Sequence, residues 1–346
     1  MQKIKYRWTI LLSLPWIVIG LAVAVWWYQT SHHSSLLIQQ SEQQSPQQSQ
    51  KTIVTNQSKD GVQEKSQETL KPDTQPVTIL FGGDLMFDRY IRQIAMKRGN
   101  DFIFAPDLRE RMRSADAVVA NLEGPITGNT SRSVGSVIGS RENYIFTFDP
   151  SWAQTLKANN ITTVNIGNNH ILNFGDAGLM ETKKYLTDEG VNFFGDPKDG
   201  QYQTMTLNIK GIKIGLVNEN QFVADGEAKA LADVAALRSQ VDVLVAYTHW
   251  GKEYLPATDD ERRRAHALID AGVDVVIGSH PHIVQEKEVY KNKTIYYSLG
   301  NFVFDQYEQA ATRSGLLVEM RIDPTTRALS FDDIPVTLQT NGQTKL

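Results

Sequence analysis

The 346-residue sequence contains no cysteine. This absence excludes a disulfide framework, a cysteine-based zinc site and thiol catalysis. The sequence also lacks an excess of positive charge, because 35 lysines and arginines face 39 aspartates and glutamates, which gives a formal net charge of −4. A nucleic-acid-binding protein needs a basic patch or stripe. The composition therefore predicts that nucleic acid is not a partner.

Two common catalytic signatures are also missing. The sequence has no Gly-x-Ser-x-Gly turn, which carries the nucleophile of many serine hydrolases, and no glycine-rich phosphate loop of the P-loop type. These absences argue against serine esterase and ATPase chemistry.

Charged residues are absent from one long apolar stretch near the N-terminus, residues 8–28. As a helix these residues would span about 31 Å, enough to cross the hydrocarbon core of a bilayer. Basic residues lie only on the N-terminal side, which predicts a cytoplasmic tail at 1–7, a single-pass signal-anchor at 8–28 and an extracellular C-terminal domain. A cleaved signal peptide is the alternative, although no Ala-x-Ala-like exit follows the stretch.

The anchor is followed by a polar segment, residues 29–75, which is rich in glutamine and serine. Such a composition buries too little apolar surface to offset the entropy of ordering, so it predicts a disordered tether with a mean reach of about 35–40 Å. Residues 76–340 are expected to form one domain, because strand-like and helix-like stretches alternate from there on.

The pattern of this domain predicts an α/β sandwich of mixed sheets. Helix-like stretches are found at 88–98, 151–159, 176–189, 228–240 and 259–271. Late in the chain, residues 294–298, 315–322 and 329–336 alternate in the manner of antiparallel strands.

Five short apolar runs are each followed directly by polar residues. The runs are 77–81, 117–120, 162–166, 243–246 and 273–277. In chain order, they lead to Asp84, Glu123, Asn169 with His170, His249, and His280 with His282. Because α/β proteins build their sites at the carboxyl ends of buried strands, we expect these side chains to converge.

Carboxylates and imidazoles in this pattern point to a metal centre. His280 and His282, one residue apart on a turn, can reach the same metal cluster, and neutral imidazole suits zinc, manganese or iron. The alternative is that both histidines are polar loop residues. The metal-ligand interpretation is favoured over it because the same strand-end pattern occurs five times in the chain.

The order of these motifs resembles the calcineurin-like metallophosphoesterase scaffold. The residues within these motifs are similar to those of one branch in particular, the CapA family, which serves poly-γ-glutamate capsule biosynthesis. The resemblance covers residues 77–305 and rests on Gly-Gly-Asp-Leu-Met at 82–86, Asn-Leu-Glu-Gly-Pro-Ile-Thr at 121–127, Asn-Asn-His at 168–170, His-Trp-Gly at 249–251, Gly-Ser-His-Pro-His at 278–282 and Ser-Leu-Gly-Asn-Phe at 298–302.

The resemblance implies one or two divalent ions, of manganese, zinc or iron, in two sites that share Glu123 as a bridging carboxylate. One site would be completed by Asn169, His249 and His280, and the other by Asp84 and His282. His170 falls where the phosphoesterase scaffold keeps a general acid.

The first motif departs from the phosphoesterase pattern Asp-x-His, because Met86 stands two residues after Asp84. A thioether is a poor ligand for hard divalent ions, so the metal site that contains Asp84 is expected to bind its ion weakly. Met86→His is expected to strengthen binding at this site by adding an imidazole ligand. The alternative is that Met86 packs in the core, a common use of methionine.

Two functional hypotheses follow. The first is a membrane-anchored component of poly-γ-glutamate capsule synthesis and export, which holds this or a similar anionic polymer and works with other membrane subunits of a capsule synthase complex. The second is an extracellular metal-dependent hydrolase of a phosphoester or amide bond. Residues 124–148 predict a long flap beside Glu123. The candidate substrate-binding residues are Arg89, Arg132, Arg141 and Asn301.

Overall fold

The computed structural model of the chain describes residues 75–198, 200 and 203–346. The predicted cytoplasmic tail, the predicted anchor and the predicted tether up to residue 74 lie outside these residues. Within the described ranges, no helix has the length and apolar character needed to cross a bilayer.

The described strands form two sheets, which confirms the predicted α/β fold with mixed sheets. The first sheet has the order β14-β13-β12-β1-β2-β3-β4, and β11 pairs with β1. Its strands are β1 (Val77–Leu85), β2 (Ala117–Leu122), β3 (Ile161–Asn165), β4 (Asn192–Phe194), β11 (Asn301–Val303), β12 (Ser314–Ile322), β13 (Leu329–Leu338) and β14 (Thr344–Lys345). Strands β1 to β4 run parallel, whereas β12 and β13 are antiparallel, as their alternating pattern predicted.

The second sheet has the order β5-β6-β7-β8-β10-β9. Its strands are β5 (Thr204–Ile209), β6 (Ile212–Asn220), β7 (Val243–His249), β8 (Val275–Ser279), β9 (Lys287–Tyr290) and β10 (Lys293–Tyr296). Strands β6, β7, β8 and β10 are parallel, and antiparallel β5 and β9 form the two edges.

Six α-helices connect these strands in the described residues. They are α1 (Arg89–Arg98), α2 (Pro106–Ser114), α3 (Ser151–Ala158), α4 (Gly175–Asp188), α5 (Gly226–Leu237) and α6 (Asp259–Ala271). Short 3-10 turns lie at Asn100–Ile103, Arg141–Tyr144 and Arg238–Gln240. The bounds of helix α6 could be predicted from the sequence because both of its ends carry capping residues. Thr258 and Glu261 form a reciprocal capping box, and Gly272 ends the helix in a left-handed conformation.

Three hydrophobic clusters define the layers. The central cluster joins residues of both sheets, such as Phe81 of β1 and Val245 of β7, and therefore lies between them. A second cluster packs α1 to α4 against the other face of the first sheet, and a third packs α5 and α6 against the second sheet. Alternate residues of β1 enter different clusters, because Leu80 faces the helices and Phe81 faces the other sheet.

Parts of the fold differ from the expectation. The late strand β10 was expected to be antiparallel, but it runs parallel to β8 and is antiparallel only to β9. Strands β5 and β6 and helix α2 were not predicted. The fold also extends past residue 340, where the domain was expected to end, because β14 pairs with β13.

Candidate metal centre

The predicted site residues lie where the carboxyl ends of parallel strands from both sheets meet. Strand β1 carries Asp84, and the turns after β2 and β3 carry Glu123 and Asn169. From the second sheet, β7 ends at His249, and the turn after β8 carries His280 and His282. The two sheets thus contribute ligands of different chemistry, mainly oxygen donors from the first and imidazole nitrogens from the second.

Glycine allows two backbones to approach closely beside Asp84. A β-carbon at Gly83 would lie 1.8 Å from the carbonyl oxygen of Gly300, so any side chain there would force the two segments apart. The amide of Asp84 donates to that same carbonyl at 3.1 Å, and Asp84 pairs with Asn301 in parallel register. The Gly-Gly-Asp and Ser-Leu-Gly-Asn motifs therefore fit against each other.

The histidine turn has an unusual backbone. His280 and His282 have φ angles of 98° and 59°, in the left-handed region that side-chain-bearing residues seldom occupy. Residues held in such conformations cluster at functional sites, where the surrounding structure enforces them. Here the enforcing contacts include the amide of His280, which donates to Asp84 Oδ2 at 3.2 Å.

Two groups of buried side chains have ligand atoms close enough to hold a metal ion. The groups are Asp84, Glu123 and His249, and Glu123, His280 and His282, each with its ligand atoms within 4.8 Å of one another. Glu123 belongs to both groups, which is the bridging position that the resemblance implied. The pairs that the resemblance implied are close as well, because Asp84 Oδ2 lies 3.3 Å from His282 Nδ1 and the rings of His249 and His280 are 4.9 Å apart.

The chemistry of these residues fits a divalent ion. His249 Nε2 lies 2.8 Å from Asn169 Oδ1 and 3.6 Å from Glu123 Oε1, so three potential ligand atoms converge on one point. Among the described residues, Glu123 Oε1 and His280 Nδ1 are buried without a hydrogen-bond partner. Buried polar atoms are normally paired, and a metal ion would satisfy both of these.

A residue that the sequence analysis missed holds the two carboxylates in place. The side-chain amide nitrogen of Asn121 donates to Asp84 Oδ1 at 2.8 Å and to Glu123 Oε2 at 2.6 Å. Its oxygen accepts from the amides of Asn165 at 3.0 Å and Asn168 at 3.1 Å. A polar residue inside the apolar run of β2, two positions before Glu123 and hence on the same face, was the available signal.

The protonation states in the metal-free protein follow from burial and from neighbouring charges. Burial and the negative charge of Asp84 raise the pKa of Glu123 well above its usual range. Burial alone would also raise the pKa of Asp84, but the hydrogen bond and charge of His282 hold it below its usual range. Burial lowers the pKa of His280 to about 3, so this imidazole is neutral at pH 7, as a metal ligand must be.

His170, the predicted general acid, lies beside this cluster. Its ring packs on Phe146 with centroids 4.5 Å apart, and its Nδ1 lies 3.2 Å from Asn173 Oδ1. Burial lowers the pKa of His170 to about 4, so the imidazole is neutral at pH 7. A neutral imidazole can still donate one hydrogen bond, but it is a weak proton donor.

Two of the four predicted substrate-binding residues lie in the wall of the site. Asn301 is fully buried and its Oδ1 lies 3.0 Å from His282 Nδ1, which fits orientation of that imidazole better than contact with a substrate. Arg89 forms an ion pair with Asp305 and packs between the rings of Phe146 and Phe304, at 5.3 and 5.2 Å.

The other two predicted substrate-binding residues belong to the expected flap. Arg132 is exposed and lies 3.7 Å from Glu142, and Arg141 is exposed at the start of the 3-10 turn. The flap is anchored at both ends, because the backbone of Ile126 pairs with that of Phe148. The structure thus brings the metal-ligand candidates together and leaves Arg132 and Arg141 on a surface loop.

The structure favours the packing alternative for Met86. Its side chain is fully buried in the cluster of α1 to α4, and its sulfur accepts the amide of Asp88 at 3.1 Å. The thioether is therefore part of the core, and the hypothesis that Met86→His would restore a metal ligand loses its geometric basis.

We accordingly expect Met86→His to lower the free energy of unfolding by about 1–3 kcal/mol, because it places a polar ring in an apolar site without a partner. Chemical denaturation measures this loss, and elemental analysis should find no additional metal. Met180→His is a matched control, since Met180 is 70% exposed. A variant that is as stable as the parent and binds one more ion would restore the discarded hypothesis.

We expect His280→Ala to lower the bound metal by at least one ion per chain at pH 7, since it removes a ligand atom from a group of three. Elemental analysis of the purified chain measures the ratio. The φ of 98° at His280 strains alanine, so His280→Gly, which tolerates this angle, separates ligand loss from backbone strain. His266→Ala, on α6, is the control. Unchanged metal content in a folded His280 variant would refute the assignment.

The fold and this site define a class, an α/β sandwich with a candidate metal centre at the joint carboxyl edge of its two sheets. The chain belongs to the family described as bacterial capsule synthesis protein PGA_cap, whose model matches residues 78–306. This match confirms the resemblance to the CapA family.

Two relatives and one solved structure are similar to this chain. The chain is 27% identical over 293 residues to the capsule biosynthesis protein CapA of Bacillus anthracis, covering 77% of this chain and 69% of the relative. It is 29% identical over 260 residues to the PGA biosynthesis protein CapA of Bacillus subtilis (strain 168), covering 70% and 67%. A solved structure of a hypothetical protein from Thermus thermophilus aligns with 75% of this chain and 99% of its own, at a TM-score of 0.47 and 16% identity.

Proposed function

We propose that this protein is a membrane-anchored component of poly-γ-glutamate capsule biosynthesis and export, and that its metal-bearing face holds the anionic polymer. The observation that carries the proposal is the buried cluster of carboxylates and imidazoles in a chain of the capsule synthesis family. The names of the two Bacillus relatives, capsule biosynthesis and PGA biosynthesis proteins, indicate the polymer.

Divalent ions would be held by the two groups that share Glu123. In this assignment Asp84 and His249 complete one group, and His280 and His282 complete the other. Mixed carboxylate and imidazole donors suit manganese, zinc or iron. When bound, such an ion supplies positive charge and Lewis acidity. The residues themselves do the remaining work, since they exclude water from the buried side of the site and fix its geometry.

Local positive charge is needed because the bulk field of the domain repels a polyanion. Residues 76–346 contain 28 basic and 34 acidic side chains. Metal ions would replace the proton on Glu123 and reverse the sign of the charge at the base of the site. Arg89 in the wall and the flap arginines Arg132 and Arg141 would extend this positive region toward the polymer.

The topology is part of the proposal. The proposed partners are other membrane subunits of a capsule synthase complex, with the C-terminal domain outside the cell. Protease added to intact cells should release a fragment that begins between Ser31 and Gln75. Complete protection in cells whose surface is accessible would contradict an extracellular domain.

Binding of a γ-linked glutamate oligomer to the purified full-length chain tests the polymer assignment. We expect binding to require a divalent ion and to be lost after chelation, and His280→Ala to weaken it. His266→Ala serves as the control, because His266 lies on helix α6, stacks on Tyr290 of β9 at a ring distance of 3.8 Å and belongs to neither ligand group. Equal affinity with and without metal would overturn the proposal.

One observation favours a second candidate function. Two ligand groups that share a carboxylate are the arrangement that two-metal hydrolases use, so an extracellular metal-dependent hydrolase of a phosphoester or amide bond is the alternative. Metal-dependent release of phosphate or of new amino groups, lost in Glu123→Gln, would support it. Polymer binding without any turnover would favour the first candidate.

A further inference from the structure

Two half-exposed aromatic rings lie next to the histidines of the metal centre. Phe222 is 44% exposed, and its ring centroid lies 4.4 Å from that of His280. Tyr254 is 41% exposed, and its ring centroid lies 6.1 Å from that of His282. Apolar side chains that are exposed singly are ordinary on a protein surface, but these two lie beside one pair of ligand candidates. We call Phe222 and Tyr254 the aromatic rim.

Phe222 is held beside the metal centre by hydrogen bonds of its turn rather than by core packing. The amide of Gln221 donates to the carbonyl of His249 at 3.1 Å, and Gln221 Oε1 accepts from the amide of Gly251 at 2.7 Å. The amide of Phe222 itself donates to Asn220 Oδ1 at 2.9 Å. The ring belongs to none of the three hydrophobic clusters of the described residues. Burial in the core therefore does not explain why a phenylalanine stands here.

Tyr254 is held in a strained conformation. Its φ of 64° lies in the left-handed region, which is rare for a residue with a side chain. Its amide donates to the carbonyl of Pro281, inside the histidine turn, at 2.9 Å. Its hydroxyl accepts from Gln306 Nε2 at 2.8 Å, and Gln306 Oε1 accepts from Asn301 Nδ2 at 3.1 Å. Surrounding contacts enforce such strain mostly at functional sites, so the placement of this ring indicates a role in the site.

The aromatic rim offers a ligand something that the rest of the site does not. The metal centre and Arg89 in its wall suit anionic oxygens, whereas the rim adds flat apolar faces beside them. A ligand that uses both needs a carboxylate with an apolar or planar part attached. A phosphate ion has no such part. A γ-linked glutamyl unit has a carboxylate, two methylene groups and an amide plane, and therefore matches both features.

We propose that the aromatic rim binds the methylene and amide backbone of a γ-linked glutamyl chain, one of whose carboxylates is held at the metal centre. The inference rests on the proposed function for the identity of the polymer. It makes Phe222 and Tyr254 specificity-determining residues, because the metal centre alone accepts any compact anion and the rim selects the organic backbone.

Calorimetric titration of the metal-loaded full-length chain tests the rim, with a γ-linked glutamate pentapeptide and inorganic phosphate as probes. Phe222→Ala removes one ring, and Tyr254→Asn removes the other with a residue that tolerates the left-handed conformation. We expect each variant to weaken pentapeptide binding about three- to ten-fold, the effect of losing one aromatic contact. The affinity for phosphate and the metal content should stay at the values of the parent chain.

Two further variants serve as controls. Val289→Ala removes an exposed apolar side chain from the edge strand β9 and should leave both affinities unchanged. Tyr254→Phe keeps the ring and removes only the hydroxyl that accepts from Gln306, so it should bind the pentapeptide as the parent does. A loss in Tyr254→Phe as large as that in Tyr254→Asn would assign the effect to the hydrogen bond and would contradict a role of this ring.

The outcomes separate the rim from the proposed function. Pentapeptide binding that requires metal but is unchanged in both ring variants would overturn the rim alone. Loss of bound metal or of phosphate affinity in these variants would show that the rings only position the histidines, and would also overturn it. If the parent chain does not bind the pentapeptide at millimolar concentration, the polymer and the rim are both refuted. Tighter binding of maltopentaose, weakened in both ring variants, would assign the rim to a sugar polymer instead.

Discussion

Glu123→Gln is expected to abolish the stabilisation of this protein by divalent metal while leaving the metal-free fold intact. Glu123 and Asp84 are fully buried, and the pKa of Glu123 is raised well above its usual range by burial and by the charge of Asp84. Glutamine has the shape and charge of the protonated acid, and its oxygen can keep the bond from Asn121. It lacks the anionic oxygen that a metal ion requires.

Thermal unfolding with and without metal measures this effect. A ligand at 100 times its dissociation constant stabilises by about 2.7 kcal/mol, which for a domain of this size raises the melting temperature by about 5–10 °C. We expect such a rise in the parent chain and less than about 2 °C in Glu123→Gln. Glu189→Gln, at an exposed position after α4, should behave like the parent. A full metal response in Glu123→Gln would contradict a shared ligand at this position.

Asn121→Leu should be the most destabilising single change in the site. The amide of Asn121 is the donor that both buried carboxylates share, at 2.8 and 2.6 Å. Leucine fills a similar volume but leaves both carboxylates without this donor, and removal of one partner of a buried charged group costs about 3–5 kcal/mol. Chemical denaturation of the metal-free protein measures the loss.

Thr163→Val provides the contrast for this experiment. Thr163 is fully buried in the adjacent strand β3, and its hydroxyl has no hydrogen-bond partner among the described residues. Replacing it with the isosteric valine should cost less than about 1 kcal/mol, because no bond is lost. If Asn121→Leu costs no more than Thr163→Val, the amide does not hold the carboxylates.

The strands that build the site were predictable because local and global signals agree there. Each apolar run forms a buried parallel strand, so β-branched composition and burial indicate the same element. Four runs continue further than predicted: β1 extends through Asp84 to Leu85, β2 to Leu122, β7 to His249 and β8 to Ser279. The polar ends of these strands are buried by contacts from distant segments, such as Gly300 against Gly83, which no local pattern contains.

The internal arrangement of the site was less predictable. Sequence order separates His249 from Asp84 by more than 160 residues, whereas the structure gives them a common ligand group. This grouping depends on the distance between the carboxyl ends of strands in two different sheets. The composition of the strands does not encode that distance. Met86 was ambiguous for a similar reason, since a thioether two residues after Asp84 is compatible with either a site or a core position until the packing is known.

The parallel direction of β10 shows the limit of the alternation pattern. The alternating residues of β10 indicated an antiparallel strand. One neighbour of β10 is the edge strand β9, to which it is antiparallel, and the other is β8, to which it runs parallel. Position within the sheet, rather than the strand's own composition, decides its direction.

The central claim is that the edge shared by the two sheets is a metal centre. Elemental analysis of the full-length chain, purified without chelators and reconstituted separately with manganese, zinc and iron, tests it most directly. The account predicts one or two tightly bound ions per chain for at least one of these metals, reduced by at least one in His280→Ala. A folded parent chain that retains no ion after reconstitution with any of the three would contradict it.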